Sequence, residues 1–360
     1  MNFLQEAIRS SYDSPLRTSQ LQPMKAGAKI FNLLTKAISA LTPVTSLKSN
    51  LPPKRPLEGH RSKVQAFHWG GPKNVTELIS CDDMGTIVHW DAAKGSKLTL
   101  FDLQVTCHSI AMEPEAGTCA AVGTANGRFH MLELNNIGQI TKGVNTKPHV
   151  AIPAHTGPIF AINFLGNEYI VTGGGDKSIA VWSIHSLKTC VSRHVKHEGE
   201  VYALSVFRED ENIFLSSSTD GTCKLWDIRL KQPVQATFEG HTAAVNSVAF
   251  MPGKVTTFAS GADDGTVRLW DIRMDSEVAI FGDPRAPGEG INSVEFSESG
   301  RVIIAGTDYN CVKYWDVLTN GSPLKDLDYG FKCPIVNAQL SADGYTLAVL
   351  GKDGVLGIAY

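Results

Sequence analysis

The spacing of the Trp residues constrains the fold of this chain more than any other sequence feature. The residues that mark this spacing are Trp90, Trp182, Trp226, Trp270 and Trp315. The gaps between them are 92, 44, 44 and 45 residues, and the first gap equals two periods. Two more units fit the same period, one at Leu132-Glu133 and one at Ala359-Tyr360. A period of about 40–45 residues with short strands is typical of β-propellers, which have four strands in each blade. The sequence therefore predicts an all-β propeller of seven blades.

Three of the predicted blades share four side chains at nearly constant spacing. An Asp stands six residues before the Trp, a Ser or Thr stands ten residues before it, and a His lies further upstream. Such a set predicts a buried hydrogen-bond chain from Asp through His and the hydroxyl to the indole N–H. We call each set a tetrad. The tetrads are His155, Thr172, Asp176 and Trp182; His197, Ser216, Asp220 and Trp226; and His241, Ser260, Asp264 and Trp270.

A Ser-His-Asp catalytic triad is the rival interpretation of these residues. It is rejected because a catalytic triad occurs once in a fold, whereas this set recurs from blade to blade. Blade 1 retains His60, Ser80 and Trp90 but has Met84 at the Asp position, so its chain is predicted to be incomplete. Blades 2, 6 and 7 lack the His, and their packing is expected to depend more on apolar contacts.

No other motif predicts chemistry, so we expect no catalytic residue, no cofactor and no metal. There is no phosphate-binding glycine-rich loop, and His194 and His197 form an HxxH without a third ligand. The seven Cys residues include no CxxC pair, which argues against a zinc site or a disulfide framework and favours a reducing compartment.

Charge divides the chain into two regions, a basic extension over residues 1–50 and a propeller over residues 51–360. The net charge of −3 combines +6 in residues 1–56 with −9 in the rest. Because an acidic body repels phosphate backbones, we expect no nucleic-acid binding by the repeats. The basic segment suits a solvated leader, an acidic partner, a transit peptide or an anionic membrane surface.

The N-terminal extension contains a predicted amphipathic helix near residues 24–41. Its apolar stripe, which we call the seam, has the i, i+3, i+4, i+7 spacing of one helix face. The seam comprises Ile30, Leu33, Leu34, Ile38 and Leu41, with Ala37 between them. Three interpretations remain open: a partner helix packs on the seam, the seam folds back on the propeller, or it lies on a membrane surface.

Three stretches resemble the β subunits of heterotrimeric G proteins, a family of WD-repeat propellers. Residues 58–69 are similar to the opening of that family's first blade, and residues 260–273 are similar to its fifth. Residues 290–311 resemble its sixth blade and are the most specific stretch, because they lack the common Gly-His and still match. The resemblance covers about residues 55–360.

The resemblance implies signal transduction as part of a heterotrimer and no enzymatic activity. In the family, a small γ subunit pairs with the N-terminal helix and one side of the propeller. The top face docks a GDP-bound α subunit and, after release, effectors. The positions that match this face are Lys63, Thr156, Glu200, Tyr202, Asn246 and Asp263. We therefore expect a cytoplasmic protein, peripheral at the inner face of a membrane through its partners or its basic segment.

The chain departs from the family at three positions of the top face. Two family tryptophans correspond to Thr106 and Lys352, and a family tyrosine corresponds to Pro158. Since aromatic anchors supply much of the energy of an interface, a second interpretation stays open. It is an orphan WD-repeat scaffold of another assembly, such as RNA processing, trafficking or a ubiquitin ligase.

Overall fold

Short β-strands joined by tight turns form almost all of the regular structure. The computed structural model describes residues 55–134, 150–187, 189–282, 288–318, 324–327 and 329–359, and this part contains 28 strands and one 3-10 turn, Ile184–Ser186. Gly221 and Gly265 follow Asp220 and Asp264 with φ values of 81° and 80°, a conformation that glycine adopts without steric cost. Within these ranges, no helix has the length and apolar character needed to span a membrane.

The strands form seven antiparallel sheets of four strands, which confirms the predicted seven-bladed propeller. In blades 1 to 6 the four strands pair in sequence order, and the first strand of each blade is the inner one. Blade 1 has β2 Val64–Trp69, β3 Glu77–Asp82, β4 Thr86–Asp91 and β5 Ser96–Asp102; blade 2 has β6 Cys107–Met112, β7 Cys119–Thr124, β8 Arg128–Glu133 and β9 Val150–Pro153; blade 3 has β10 Ile159–Leu165, β11 Tyr169–Gly174, β12 Ser178–Ser183 and β13 Cys190–Val195. Blade 4 has β14 Val201–Val206, β15 Ile213–Ser218, β16 Thr222–Asp227 and β17 Val234–Glu239; blade 5 has β18 Val245–Met251, β19 Lys254–Ala262, β20 Thr266–Asp271 and β21 Glu277–Gly282; blade 6 has β22 Ile291–Phe296, β23 Val302–Thr307, β24 Val312–Asp316 and β25 Lys325–Leu327; blade 7 has β26 Ile335–Leu340, β27 Leu347–Gly351, β28 Leu356–Ala359 and β1 Arg55–Pro56.

Strand β1 completes blade 7 and closes the ring. Arg55 pairs with Ile358 and Pro56 pairs with Gly357, and the Leu57 N–H donates to the Leu356 carbonyl at 2.9 Å. Pro56 is tolerated because β1 is the edge strand of its sheet. The sequence predicts closure by a segment near Lys48–Arg55. The structure places it at Arg55–Pro56, and residues 48–54 lie outside the described residues.

Apolar side chains pack between neighbouring blades. Strand β15 is buried along its whole length, as expected for a strand covered on both faces. Between blades 5 and 6, Phe281 packs in one cluster with Ile291 and Phe296. Each fully buried side chain of this size contributes about 1.5–3 kcal/mol. The core is therefore a set of layers between blades, and every sheet depends on two neighbours.

A β-bulge at the second residue of every inner strand turns one side chain toward the central channel. In β14, for example, Val201 pairs with Ser218 and Ala203 pairs with Ser217, which leaves Tyr202 unpaired between them. The equivalent residues form one ring around a channel of about 650 Å³. They are Gln65, His108, Phe160, Tyr202, Asn246, Asn292 and Val336.

Polar side chains further down the channel fasten the inner strands of blades 1, 4 and 6 to the next blade. His68 Nδ1 accepts the Met112 N–H at 3.4 Å, and Ser205 Oγ accepts the Phe250 N–H at 3.2 Å. Glu295 Oε2 accepts the Leu340 N–H at 3.1 Å. Burial lowers the pKa of His68 to about 4, so its ring stays neutral and keeps the lone pair that this bond requires.

Glu295 makes the stability of the propeller depend on pH. Burial raises the pKa of its carboxyl from 4.5 to about 8, although Arg208 opposes the shift. A raised pKa in the folded state stabilises the fold below pH 4.5, and this contribution is lost as the pH rises through about 8.

Glu295→Gln keeps an oxygen acceptor for Leu340 and carries no proton to lose. We expect it to stabilise the protein on the order of 2 kcal/mol above pH 8, since water in the channel reduces the full linkage value.

Urea unfolding at several pH values measures this difference. The matched control is Glu209→Gln, which makes the same substitution at an exposed residue of the channel mouth. A Glu295→Gln variant whose stability follows that of the wild type at every pH would contradict the assignment.

Candidate protein-interaction face

All three tetrads that the sequence predicts form hydrogen-bond chains in the structure. In blade 4, His197 Nδ1 lies 2.8 Å from Asp220 Oδ2, and His197 Nε2 lies 2.7 Å from Ser216 Oγ. The Trp226 indole N–H donates to the same Ser216 oxygen at 2.8 Å. Blades 3 and 5 repeat these contacts at 2.7–3.2 Å with His155, Thr172, Asp176 and Trp182, and with His241, Ser260, Asp264 and Trp270.

The chemistry of the four groups fixes the direction of each bond. An indole N–H can only donate, so Ser216 accepts from Trp226 and gives its own proton to His197 Nε2. The Nδ1–H of His197 then donates to Asp220. Burial acts to raise the pKa of Asp220, but the hydrogen bonds from His197 and Thr222 outweigh it and hold that pKa below its usual value. Ser216 is fully buried and its oxygen already accepts the Trp226 N–H, so no substrate can reach it as a nucleophile.

Blade 1 also has a complete chain, contrary to the prediction from Met84. His60 Nδ1 lies 3.1 Å from Asp82 Oδ2, His60 Nε2 lies 2.6 Å from Ser80 Oγ, and Trp90 donates to Ser80 at 2.8 Å. Asp82 stands two residues earlier than the expected position, at the end of β3. Its carboxylate also accepts the N–H groups of Met84 and Thr86, as the tetrad Asp of other blades does for their turns.

Blade 6 holds the corresponding loop with an ion pair instead. Lys313 is nearly fully buried, and its Nζ lies 3.1 Å from Glu289 Oε2 in the loop that precedes β22. Ala305 occupies the place of the Ser, and within the described residues the Trp315 indole N–H has no hydrogen-bond partner. Blade 6 lacks the tetrad His, as the sequence indicates, and the ion pair between Lys313 and Glu289 holds its loop instead.

Removal of one tetrad His should destabilise the fold. In His241→Ala, the Ser260 hydroxyl and the Asp264 carboxylate each lose their partner, and we expect a cost of about 1–3 kcal/mol in the free energy of unfolding. The measurement is chemical denaturation, with the exposed His185→Ala as the control. Equal stability of the two variants would show that the tetrad contributes nothing.

The tetrads position one face of the ring, which we call the upper face. It consists of the loops that lead into the inner strands and the turns between the second and third strands. In each blade a turn N–H donates to the carbonyl just before the inner strand, as Asp83 does to Lys63 at 3.1 Å and Thr219 does to Glu200 at 3.0 Å. Thr106, Pro158 and Lys352 take part in the same contact in blades 2, 3 and 7. The three departures from the family therefore stand on this face.

Four of the six predicted face residues come together beside the channel. Burial raises the pKa of Tyr202, as do the neighbouring Glu200 carboxylate, through its charge and through hydrogen bonding, and the charge of Asp263. Asn246 Nδ2 donates to Asp263 Oδ1 at 2.6 Å and to the Ile291 carbonyl of the next blade at 3.1 Å. Glu200, Tyr202, Asn246 and Asp263 thus form one connected polar group across blades 4 and 5.

The other two residues of the predicted set lie on the upper face without joining this group. Exposed Lys63 precedes β2, and its backbone packs against the Gly354 turn of blade 7. Thr156 is exposed, and its N–H donates to the Asp176 carboxylate at 3.1 Å. The seam residues of the N-terminal helix, Ile30, Leu33, Leu34, Ile38 and Leu41, lie outside the described residues.

Sequence reasoning missed two aromatic side chains beside this group. Phe160 packs edge to face on Tyr202 at a centroid distance of 5.2 Å, and His108 lies 5.6 Å from Phe160. Both are the second residue of an inner strand, as Tyr202 is. The signal was present in the period, because Phe160 and Asn246 stand 42 residues before and 44 residues after Tyr202.

No cluster of three His, Cys, Asp or Glu side chains suited to a metal occurs among the residues that the structure describes. His197, half of the HxxH pair, has both ring nitrogens engaged in its tetrad.

Comparison with known proteins supports the assignment of the chain as a WD-repeat propeller, in agreement with its seven blades. Residues 146–183, 188–227, 232–271 and 281–316 match the family described as WD domain, G-beta repeat. The guanine nucleotide-binding protein subunit beta of Arabidopsis thaliana is 30% identical over 320 residues, which cover 84% of this chain and 82% of that protein. The subunit beta of Solanum tuberosum is 29% identical over 321 residues, covering 85% and 82%. Subunit beta-1 of Nicotiana tabacum is 29% identical over 285 residues, covering 77% and 74%.

Proposed function

Because the chain belongs to the family of guanine nucleotide-binding protein β subunits, we propose that it holds an α-like and a small γ-like subunit in a signalling heterotrimer. It is a WD-repeat scaffold and not an enzyme. The observation that carries the proposal is the 30% identity over 320 residues, which extends through the propeller and is not confined to one repeat. These relatives are named as β subunits, which implies partner subunits, and we infer the partners of this chain from them.

The upper face is the proposed docking site for the α-like subunit. Its centre has the character of a protein interface, because it combines an aromatic ring, an amide and carboxylates, and the Asn246 amide already donates to the Asp263 carboxylate. Tyr202 is the expected anchor, since a tyrosine can bury its ring while its hydroxyl stays hydrogen-bonded. Lys63 supplies a cation across the channel mouth.

The N-terminal seam is the proposed binding site of the γ-like subunit. Its apolar stripe at helical spacing suits a two-helix contact, and eight basic residues within positions 1–56 surround it in sequence. This basic charge favours a peripheral location in the cytoplasm, at the anionic inner face of a membrane. We expect the partner subunits to contribute to this attachment.

A second candidate function is supported by the three departures on the upper face. Thr106, Pro158 and Lys352 provide no aromatic anchor at the family's positions, although the backbone contacts there are intact. In this alternative, the same face binds the protein of another assembly, and no α subunit docks.

Two changes on the upper face should weaken docking without unfolding the ring. We expect Tyr202→Ala combined with Lys63→Glu to reduce affinity for a GDP-bound α subunit by at least about 2 kcal/mol, since interface anchors cost this much when truncated. Lys63→Glu should change the free energy of unfolding by less than about 0.5 kcal/mol. Loss of the Tyr202 ring contact with Phe160 should cost about 0.5–1.5 kcal/mol, which leaves the ring of blades folded. Titration of the α subunit measures the affinity.

The matched control makes the same chemical changes on the opposite face of the ring. Tyr345→Ala combined with Lys231→Glu alters two exposed residues in turns at the other ends of the strands, and it should bind as the wild type does. Undiminished binding by the Tyr202 and Lys63 variant would exclude the upper face as the docking site. Absence of binding by the wild type itself would favour the second candidate function.

Charges in the seam should prevent γ pairing. Leu34→Asp combined with Ile38→Asp places two carboxylates at the centre of an apolar contact, where their desolvation is not compensated. We expect a co-expressed γ subunit no longer to co-purify, while circular dichroism shows a folded propeller. Asn32→Asp combined with Ser39→Asp adds the same charge off the stripe and should retain the γ subunit. Retention by the Leu34 and Ile38 variant would contradict the seam as the pairing site.

A further inference from the structure

Four junctions between neighbouring blades repeat one close contact. It joins the second strand of one blade to the first residue of the next inner strand. At each of these junctions the second strand has a glycine at the contact, and its partner is a branched Ile or Val. A Cβ built on the glycine would lie only 2.9–3.4 Å from the Cβ of that partner. The four pairs are Gly123 with Ile159, Gly173 with Val201, Gly261 with Ile291, and Gly306 with Ile335.

The junction of blades 1 and 2 has a cysteine at both of these positions. Cys81 stands opposite Ala66 of β2, in the register that Gly123 has in blade 2. Cys107 is the first residue of β6, the position of the Ile or Val at the other junctions. Both side chains are fully buried and belong to one cluster between the two blades. The repeat therefore places the two cysteines directly against each other.

The separation of these positions suits a disulfide bond. Real Cβ atoms do not approach to 2.9 Å, so two side chains in this register must move apart to ordinary contact. A disulfide needs a Cβ–Cβ distance of about 3.5–4.5 Å, which begins where the glycine contacts end. Burial raises the pKa of the Cys81 thiol, and the neighbouring Cys107 thiol raises it further through hydrogen bonding and charge. Both cysteines are free in the structure, so it shows the reduced state of the pair.

We propose that Cys81 and Cys107 are a redox-sensitive pair, which hydrogen peroxide converts into a disulfide between blades 1 and 2. The Cys107 sulfur attacks one peroxide oxygen, the O–O bond breaks, and the thiol becomes a sulfenic acid with release of water. The Cys81 sulfur then attacks the Cys107 sulfur, and the sulfenic hydroxyl leaves as water with the Cys81 proton. Two thiols and one peroxide thus give one disulfide and two waters, and a dithiol reductant reverses the oxidation.

The pair lies close beneath the upper face, where a small oxidant can approach it. Cys107 directly follows Thr106 of the upper-face loop, and its thiol donates to the Val105 carbonyl at 3.4 Å. Val105 and Thr106 are only half-buried, whereas the raised pKa of Cys81 keeps that thiol protonated. We therefore expect Cys107 to react first. In a reducing compartment, a disulfide of this kind is transient and responds to the oxidant.

The bond would fasten the upper face covalently at this junction. Asp82 of the blade 1 tetrad directly follows Cys81, and Thr106 directly precedes Cys107. A cross-link would therefore join the tetrad of blade 1 to the loop that enters β6. The oxidised chain is expected to resist separation of blades 1 and 2, which apolar contacts alone hold together in the reduced chain at this position.

Peptide mapping of the full chain tests the pair. The chain is purified with dithiothreitol, freed of it, treated with hydrogen peroxide and alkylated before tryptic digestion. We expect residues 74–94, which contain Cys81, to be linked to residues 98–128, which contain Cys107 and Cys119. The link should persist in Cys119→Ser and disappear after renewed treatment with dithiothreitol. Oxidation to sulfinic or sulfonic acids without this link, or a link that requires Cys119, would overturn the proposal.

Two substitutions replace the thiols by residues that another junction already contains. Cys81→Ser copies Ser217 of blade 4, and Cys107→Val copies Val245, the first residue of the next inner strand. We expect peroxide to raise the unfolding midpoint of the wild type by on the order of 5 °C, because the bond closes a loop in the unfolded chain. Either variant should fold and show no such rise. An equal rise in Cys107→Val would assign the effect to another reaction and contradict the proposal.

Cys223→Ser is the matched control for a buried thiol. Cys223 lies in the cluster between blades 4 and 5, and Ser260 is beside it instead of a second thiol. This variant should form the link between Cys81 and Cys107 as the wild type does, and loss of the link would show that the assignment is wrong. Binding of an α subunit does not enter these measurements, so their outcome and that of the proposed function are independent.

Discussion

Burial of both faces of every sheet is the constraint on which this molecule depends. Strand β15 has no exposed residue, and Phe281 of blade 5 completes a cluster with Ile291 of blade 6, so no blade has a finished core by itself. Blade 7 needs blade 1 in the same way, and the short pairing of β1 with β28 fastens the two ends of the ring together. The propeller is therefore a closed cycle of contacts, and the channel, its bulges and the upper face all follow from closure.

The tetrads connect this packed ring to the upper face, which we propose as the docking surface. Asp220 accepts the N–H of Glu198, and Thr219 accepts the N–H of Glu200, so the loop that enters β14 is held from both sides. A loop held in this way presents Glu200 and Tyr202 in a fixed arrangement without prior ordering, which lowers the entropic cost of binding a partner. In blade 6 the ion pair between Lys313 and Glu289 holds the corresponding loop. The loop before the inner strand can therefore be held by a hydrogen-bonded tetrad or by an ion pair.

Much of the fold and part of the site could be predicted from the sequence, and the exceptions are instructive. Spacing identified three tetrads because Asp, His and the hydroxyl act within one blade, where strand register converts sequence distance directly into spatial distance. The same spacing rule was wrong in blade 1. There Asp82, at the end of β3, reaches His60 at 3.1 Å although it stands two residues before the expected position. A side chain can meet its partner from more than one place along a turn, and only the coordinates show which place is used.

The amino-acid sequence by itself determined the repeat, the number of blades, the tetrads of blades 3 to 5 and the family. Each of these depends on short-range pattern: strand alternation, turn residues and a constant period. The tertiary structure decided which residues meet across blades, such as Phe160 with Tyr202, Asn246 with Ile291, and Glu295 with Leu340. These pairs lie about one period apart, and their contact depends on the curvature of the closed ring and on the bulge that turns one side chain inward. The curvature arises only when seven sheets pack against one another, so the spacing of residues along the chain does not show which inward-turned side chains of neighbouring blades meet.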